Sequence, residues 1–335
     1  MFQTYLQEKK ELILTYLHEF LKLQKPIVIN RWGSDAIERL EQFMQNGKMI
    51  RGTLVFLGYD LSEKKEHSDL IKIASAMELF QAGLLIHDDI MDHDELRRGK
   101  PSMHNQYKQM FQKQGSNSPK DTAVSFALCI GDLAYFYAYE LLASIKHPEI
   151  SKITSESLSR VAQAQMQDIH FGSSEKLPTK EEILALYHYK TGDYSITLPM
   201  TLGAQLCVAS KDTTRHISLF GKNLGIAFQL VDDRLNLFGD SLVSGKPVGS
   251  DILEKKKTLY YYLISQTPEG KELVQSKNID DIKVFCMDSG IDTQITKQIE
   301  FHTREAKEAI FHIPLPSTIK TLINDFIEYL THRTK

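Results

Sequence analysis

The sequence has few cysteines and little net charge. Its three cysteines, Cys129, Cys207 and Cys286, lie far apart and form no CxxC pair, so neither a disulfide framework nor a zinc site is indicated. This cysteine usage fits a reducing compartment, and we expect a cytoplasmic protein. The formal net charge of −3 gives no basic field that would attract nucleic acid, so no nucleic-acid partner is expected.

Long apolar runs and strand-like patterns are also scarce. The start of the chain interleaves charged and apolar side chains, which predicts an amphipathic helix and not a signal peptide. We expect no segment to be apolar enough to span a bilayer, and therefore no integral membrane protein. Alternating β-branched runs bounded by turns are nearly absent, so strands are not favoured.

Apolar residues at spacings of three and four dominate instead, which is typical of helices. Glycine, serine and proline mark loops at 115–119, 172–178, 239–249 and 312–317, and none of these is long enough to be an interdomain linker. With 335 residues, of which 42% are hydrophobic, the chain can bury a large core. We therefore predict an all-α fold, a single domain over 1–335 built as a bundle of roughly ten or more helices.

A helix predicted over 70–86 is apolar on nearly every face and should run through the bundle centre. It continues into the sequence DDIMDHDE, where Asp88 and Asp92 fall one turn apart and Asp89 lies beside them. Like charges repel at that spacing, and the negative end of the helix dipole adds to the repulsion unless a cation is bound. Carboxylate oxygens with room for water and phosphate suit Mg²⁺.

A second buried helix, predicted over 224–231, also ends in acidic residues. Asp232, Asn236 and Asp240 recur at intervals of four, with Asp233 beside the first. A lone acidic run is as often a solvated helix end. Two such clusters, each after a buried helix and each followed by Gly-Lys-Pro, favour two metal sites, since uncompensated carboxylates in a bundle interior are costly.

These motifs resemble those of the trans-isoprenyl diphosphate synthases, also called polyprenyl synthetases. The stretch LLIHDDIMDHDELRRGKPSMH, 84–104, is similar to the family's first aspartate-rich region, and FQLVDDRLNLFGD, 228–240, is similar to its second. Shorter matches occur in order: GKMIRG, IGD, AQMQDI, YKTG and GKPVGSDILEKKKT. The resemblance spans residues 40 to 260 and implies an α-helical bundle of the isoprenoid synthase type around a central cavity.

The resemblance implies an enzyme that condenses isopentenyl diphosphate head-to-tail with an allylic diphosphate. Three Mg²⁺ ions are implied, which would draw negative charge from the C1–O bond of the allylic substrate as it ionises. A homodimer is also implied. The metal ligands carried over are Asp88, Asp89, Asp92, Asp232, Asp233 and Asn236.

The substrate-binding residues follow from the same resemblance. Those for the allylic diphosphate are Arg97, Lys190 and Lys256, and those for isopentenyl diphosphate are Lys48, Arg51, Gln81 and Arg98. Thr191 and Gln229, with Lys190, would face the allylic cation, and Gln165, Asp168 and Asp240 would support the metal-bound diphosphate and its waters. Taken singly, Lys190 and Thr191 would be ordinary surface residues. Gln81 and Gln229 would be ordinary core amides, so these assignments depend on the neighbouring aspartates.

Two departures from the family pattern keep alternatives open. Asn236 replaces the usual third aspartate of the second cluster and is a weaker ligand, and Arg234 is unusual there and is expected to point to solvent. Both favour a non-catalytic subunit that tunes a partner synthase, whereas the intact first cluster with Arg97 and Arg98 favours a catalyst. A terpene cyclase would carry an Asn-Ser-Glu metal motif, which is absent from this sequence. A head-to-head synthase would space its acids DxxxD, so it is also a poor fit.

The product should grow along the helix that ends in Asp88, so the residues in the turns before it would form the floor. In order away from the aspartate these are Leu84 with Gly83, then Phe80, then Met77. Similar farnesyl synthases place bulky aromatics at the first turn, which Gly83 and Leu84 would leave open. One turn is about 5.4 Å, comparable to one prenyl unit. We therefore predict geranylgeranyl diphosphate (C20), with farnesyl (C15) or longer products as alternatives.

Overall fold

The computed structural model describes residues 1–62, 67–207, 209–239 and 248–332. Within these ranges the secondary structure is helical apart from one antiparallel hairpin, which confirms the all-α prediction. The first helices are α1 (Phe2–Gln24), a 3-10 turn (Lys25–Ile27), α2 (Arg31–Gln45), α3 (Ile50–Tyr59) and α4 (Leu70–Met91). The hairpin strands β1 (Leu96–Arg97) and β2 (Lys100–Pro101) follow, and then α5 (Met103–Lys113) and α6 (Pro119–Ala143).

The remaining elements follow α6 along the chain. They are α7 (Pro148–Ser173), α8 (Lys180–Tyr187), a π-helix (His188–Thr197), α9 (Leu198–Leu206), α10 (Lys211–Phe238) and α11 (Ser250–Leu253). The last are α12 (Leu259–Ile264), α13 (Pro268–Ser276), α14 (Ile279–Asp288), α15 (Ile291–Phe311) and α16 (Ser317–Thr331).

The chain divides into two compact units. The N-terminal unit comprises Gln3–Tyr59 and Lys64–Ser151, and the C-terminal unit comprises Met1–Phe2, Asp60–Glu63 and Lys152–Lys335. Each acidic cluster belongs to one of them, the first to the N-terminal unit and the second to the C-terminal unit. The single domain expected over 1–335 stays a prediction.

In the N-terminal unit, α4 is the buried centre and packs along α6. Glycines let the two helices approach closely. A side chain on Gly131 of α6 would overlap the His87 ring, and one on Gly83 of α4 would overlap the Tyr135 ring. Because α4 is apolar nearly all round, its burial places the aspartates at its C-terminal end at the edge of this core.

Among the residues that the structure describes, two helices are long and apolar enough to cross a membrane by length and composition, which corrects the expectation that no segment would be. They are α4, with 67% of its apolar window buried within the structure, and α6, with 44%. The central helix of a folded core passes the same test of hydropathy, because burial in protein and burial in lipid select the same side chains.

In the C-terminal unit, α10 is the central helix and packs against α15 and the π-helix. Its N-terminus is capped by Ser210, whose hydroxyl accepts the Thr213 N–H at 3.0 Å. Such a cap satisfies a backbone donor that the helix leaves unpaired. The core around the C-terminal half of α10 is formed by Leu230, Leu237, Tyr260, Ile264 and Ile295.

Candidate active site

The first acidic cluster lies at the C-terminal end of α4. Asp88 is in the last turn, and the N–H of Asp92, the residue that caps the helix, donates to the Asp88 carbonyl at 2.8 Å. The two residues therefore lie on successive turns, as the spacing predicts. Both carboxylates sit at the negative end of the helix dipole, where a bound cation would offset their repulsion.

Asp89, between them, is fully buried and binds Arg97. The Arg97 guanidinium donates through Nε to Asp89 Oδ1 at 2.6 Å, and its Nη2 lies 3.4 Å from Asp94 and 3.6 Å from Asp88. Burial raises the pKa of the Asp89 carboxyl to about 6, and Arg97 acts against that rise. The structure thus makes Asp89 the anchor of Arg97, and its assignment as a metal ligand stays a prediction.

The Arg-Arg-Gly sequence forms the hairpin turn. Arg97 pairs with Lys100 across the two strands, and Arg98 and Gly99 connect them with φ values of 54° and 73°. Two consecutive residues with positive φ form the turn that matches the twist of a tight hairpin. Glycine adopts this conformation without strain, whereas for Arg98 it costs on the order of 1 kcal/mol. The hairpin folds Arg97 back against the acidic end of α4.

The residues predicted to bind isopentenyl diphosphate gather in the N-terminal unit. Arg98 and Gln81 line one small cleft together with Gly47, which directly precedes Lys48. Burial lowers the pKa of Arg98, and the nearby positive charges of Arg97 and Arg51 lower it further, so Arg51 lies close to Arg98. Lys48 is exposed at the start of α3. The geometry brings Arg51, Arg98 and the Gln81 amide together, and Lys48 lies next to the cleft along the chain.

Glu78 of α4 lines the same cleft and was missed by the sequence reasoning. Its carboxylate is 6% exposed and accepts the Gly52 N–H at 2.7 Å. Burial raises its pKa, and the Gly52 N–H, Arg51 and Arg98 each act against that rise. A glutamate inside the apolar run 70–86 was the available signal, since buried carboxylates need partners. Glu78 holds the first turn of α3 and provides the negative charge between two arginines.

The residues predicted to set product length lie along α4, with Met77 and Phe80 fully buried and Leu84 half-buried. The space beside Gly83 was expected to be open, but it is filled. A Cβ on Gly83 would lie 2.5 Å from Cε1 of Tyr135, so the ring of this α6 residue fills the notch. The Tyr135 ring also contacts Phe80, with 6.3 Å between centroids. An aromatic side chain does stand near the first turn, but α6 supplies it.

The second acidic cluster is organised by a hydrogen-bonded chain around Asp233, which is 4% exposed. Tyr187 donates its hydroxyl to Asp233 Oδ2, and Gln229 Nε2 donates to Oδ1 at 3.0 Å. The Thr191 hydroxyl donates to Gln229 Oε1 at 3.1 Å. Burial, and then the nearby Asp251, raise the pKa of Asp233 to about 8. These contacts fix the orientation of the Gln229 amide.

The π-helix presents Lys190 and Thr191 because glycines let it lie directly on α10. A Cβ on Gly225 of α10 would lie 2.1 Å from the Gly192 Cα, and one on Gly221 would overlap the Thr197 side chain. Backbone contact this close excludes any side chain at Gly225. Single π-helical turns are frequent at functional sites. This one holds the Thr191 hydroxyl against Gln229.

Six of the predicted residues line one cavity of the C-terminal unit: Asp168, Lys190, Thr191, Gln229, Asp233 and Lys256. The Lys190 ammonium is bound to Asp168, and the Lys256 ammonium lies 3.5 Å from Glu254. Gln165 lies one turn before Asp168 on α7. The structure therefore assembles acids, amides and lysines around one small space.

Asn236 is bound to the start of α11. Its Nδ2 donates to Ser250 Oγ at 2.8 Å, and its Oδ1 accepts the Asp251 N–H at 3.2 Å. Asn236 thereby places Asp251 beside the cavity, a residue that the reasoning from sequence did not select although it lies in the matched GKPVGSDILEKKKT segment. The assignment of Asn236 as a metal ligand stays a prediction. The supporting residue Asp240 lies outside the described residues.

Arg234 is exposed, as expected, and it is also paired. Its guanidinium binds Asp292 of α15 through two contacts, at 2.9 and 3.2 Å, and Asp292 also accepts the Tyr260 hydroxyl at 2.6 Å. The charge that is unusual for the second cluster is therefore balanced by a carboxylate on a different helix.

The acidic side chains fit magnesium, which needs few protein ligands when a substrate phosphate completes its coordination. Within 1–62, 67–207, 209–239 and 248–332, no group of three or more His, Cys, Asp or Glu is close enough to hold a metal ion. Magnesium commonly binds through one or two carboxylates, completing its coordination with substrate phosphates and water. Asp88 with Asp92, and Asp232, fit that requirement.

The all-α fold is shared with known isoprenoid diphosphate synthases. A sequence profile of the polyprenyl synthetase family matches residues 35–284. A short chain isoprenyl diphosphate synthase of Methanocaldococcus jannaschii is 34% identical over 71% of this chain and 70% of its own. A geranylgeranyl diphosphate synthase of Sulfolobus acidocaldarius is 33% identical over 65% and 62%. The chain belongs to the polyprenyl synthetase family and is a prenyltransferase.

A solved structure supports the same conclusion. The geranylgeranyl pyrophosphate synthase of Corynebacterium glutamicum, complexed with isoprenyl diphosphate and magnesium, superposes with a TM-score of 0.89 at 26% identity. The alignment covers 98% of this chain and 99% of that one.

Proposed function

We propose that this chain catalyses the magnesium-dependent, head-to-tail condensation of isopentenyl diphosphate with an allylic diphosphate, giving a longer trans-prenyl diphosphate. The observation that carries the proposal is the end of α4, where Asp88 and Asp92 lie on successive turns and the hairpin brings Arg97 to within 3.6 Å of Asp88. Family membership and the magnesium complex of the C. glutamicum enzyme support it.

Asp88, Asp92 and Asp232 would hold the metal, for which we propose three ions. Magnesium, when bound, neutralises charge on the departing diphosphate. Arg97, held by Asp89, and Lys190, held by Asp168, supply further positive charge to the phosphate oxygens.

The second substrate would bind in the N-terminal unit. Arg51 and Arg98 suit a diphosphate because guanidinium groups match phosphate oxygens with paired hydrogen bonds. Lys48 adds a third positive charge, and the Gln81 amide can donate a further hydrogen bond. These residues hold isopentenyl diphosphate while its double bond attacks the allylic carbon.

Thr191 and Gln229 would stabilise the allylic cation through their oxygen atoms. The Gln229 amide cannot turn freely, because its nitrogen is bound to Asp233 and its oxygen accepts from Thr191. Preorganised dipoles of this kind act without a reorganisation cost at the moment of reaction. The departing diphosphate takes the final proton, so no protein nucleophile is needed.

A direct assay tests this proposal. The purified chain, given isopentenyl diphosphate, Mg²⁺ and allylic primers of different lengths, should form longer prenyl diphosphates by itself, and chelation should stop the reaction. Turnover that requires a second protein would instead support the regulatory subunit. The cytoplasmic location stays a prediction.

For product length we propose C20, with Phe80 as the floor, because neither Gly83 nor Leu84 carries an aromatic ring. One observation favours C15 as a second candidate. The Tyr135 ring stands in the Gly83 notch, where it can act as an aromatic residue at the first turn would. The two candidates differ in which aromatic ring the growing chain meets first.

Alanine substitutions at these two rings are expected to separate the candidates. If Phe80 is the floor, the wild type makes C20 and Phe80→Ala makes products at least one unit longer, since one turn of about 5.4 Å is opened. If Tyr135 is the floor, the wild type makes C15 and Tyr135→Ala extends it. Product chromatography is the measurement. Tyr137→Ala, on α6 but packed against Phe20, is the control and should leave product length unchanged.

We further propose that the chain forms a homodimer through α6. Leu128, Phe136 and Tyr139 lie along one face of this helix and are 41%, 68% and 39% exposed. Apolar side chains aligned on an exposed helix face are typical of an interface. Phe136→Glu is expected to convert a dimer into a monomer in sedimentation analysis, whereas Leu23→Glu, at a site 73% exposed on α1, should not. A monomeric wild type would contradict this assignment.

A further inference from the structure

Lys257 lies in the cavity of the C-terminal unit and belongs to no residue set assigned so far. Its side chain is 8% exposed and lines the cavity together with Lys190, Thr191 and Lys256. Its Nζ lies 4.3 Å from the centroid of the Tyr261 ring. Lys257 is therefore a buried cation at the proposed reaction site.

The lysines of this cavity differ in their partners. Lys190 is bound to Asp168, and Lys256 lies 3.5 Å from Glu254. Among the residues that the structure describes, Lys257 is paired with no carboxylate, and its contact is the face of an aromatic ring. Its positive charge is the least balanced of the three.

Burying an ammonium group without a counter-ion costs free energy. A cation–π contact offsets only part of that cost. Burial, with the neighbouring Lys255, accordingly lowers the Lys257 pKa. An anion bound in the cavity would supply the missing negative charge, and a diphosphate is the anion that the proposed function brings there.

We propose that Lys257 binds the diphosphate of the allylic substrate through its Nζ, in addition to Lys190 and Lys256. This inference rests on the proposed function and adds a binding residue to it. Lysine suits the position because its ammonium presents three donors on a flexible stem and can move from the Tyr261 ring to a phosphate oxygen.

Replacing Lys257 separates a binding role from a packing role. Lys257→Met keeps the length of the side chain and its contact with Tyr261, but it removes the charge. We expect thermal stability to be unchanged or higher, since the buried charge is gone, and KM for the allylic diphosphate to rise about tenfold, as for the loss of one charged hydrogen bond. KM for isopentenyl diphosphate should change less than twofold.

A binding measurement without turnover accompanies the kinetics. Inorganic pyrophosphate with Mg²⁺ should raise the melting temperature of the wild type more than that of Lys257→Met. Lys257→Gln serves as a second variant that keeps a polar end group without charge. Lys255→Met is the matched control, because Lys255 is exposed two residues away, and it should behave as the wild type.

The outcomes separate this inference from the proposed function. An unchanged KM for the allylic diphosphate in both Lys257 variants, with an unchanged pyrophosphate shift, would overturn the binding role of Lys257. A wild type that forms no condensation product would overturn the proposed function itself.

Discussion

Asp88→Asn is expected to lower kcat for condensation by roughly a thousandfold, because a metal ligand contributes several kcal/mol to stabilising the charge that develops as the diphosphate departs. The substitution keeps the size of the side chain and removes its charge. Asp88 lies in the last turn of α4, so the helix should remain intact. Steady-state kinetics at saturating Mg²⁺ and substrates is the measurement.

A control variant distinguishes the loss of a metal ligand from the loss of one negative charge elsewhere in the same unit. Asp121→Asn changes an exposed aspartate in the first turn of α6 of the same unit and should leave kcat within twofold. A fall in kcat of less than tenfold for Asp88→Asn, with the variant folded, would show that this carboxylate holds no metal in the transition state.

Glu78→Gln is expected to lower kcat/KM for isopentenyl diphosphate by about a hundredfold, the equivalent of about 3 kcal/mol, which is typical when a buried charge loses its ionic partner. Glu78 accepts the Gly52 N–H and lies near Arg51 and Arg98. A neutral amide in its place turns an N–H donor toward the two guanidinium groups, which carry only donors themselves. Both arginines then lose the charge that positions them.

The direction in which KM for isopentenyl diphosphate changes distinguishes two roles for Glu78. If Glu78 acted only by its charge, removing it would increase the positive field and tighten binding of a diphosphate, so KM for isopentenyl diphosphate would fall. The positioning role predicts that this KM rises while KM for the allylic substrate is unchanged. Glu38→Gln, with a side chain 60% exposed on α2, is the control and should change neither constant.

The sequence was most informative where chemistry and helix periodicity coincide. The apolar run 70–86 predicted a buried helix ending in aspartates, and α4 spans Leu70–Met91 with Asp88 in its last turn. The same reasoning found α10 and the acids at its end. Short-range spacing fixes these features, since residues four apart on a helix share a face whatever packs against it.

Features that depend on a distant partner were not predicted. Gly83 was interpreted as open space, but the residue that fills the notch, Tyr135, comes from another helix. Glu78 and Tyr187 likewise gain their roles from contacts with residues far along the chain. A single sequence carries no information on such pairs, because side-chain packing and not local propensity selects them.

The π-helix was missed for a related reason. Its ten residues follow α8 without a breaker, so local propensity gives no sign of the wider turn. The contact of Gly192 with Gly225 of α10 accompanies the altered winding, and it involves glycines that lie far apart in the sequence. The YKTG match pointed to Lys190 and Thr191, whose functional role stays a prediction, whereas the backbone that presents them required the structure.

The account depends on the aspartates at the end of α4 holding magnesium against a diphosphate. A crystal structure with Mg²⁺ and an unreactive allylic thiodiphosphate tests this directly. The prediction is that Asp88 and Asp92 bind magnesium and that this metal contacts the diphosphate. A first cluster without metal, or ions that do not contact the diphosphate, would contradict it.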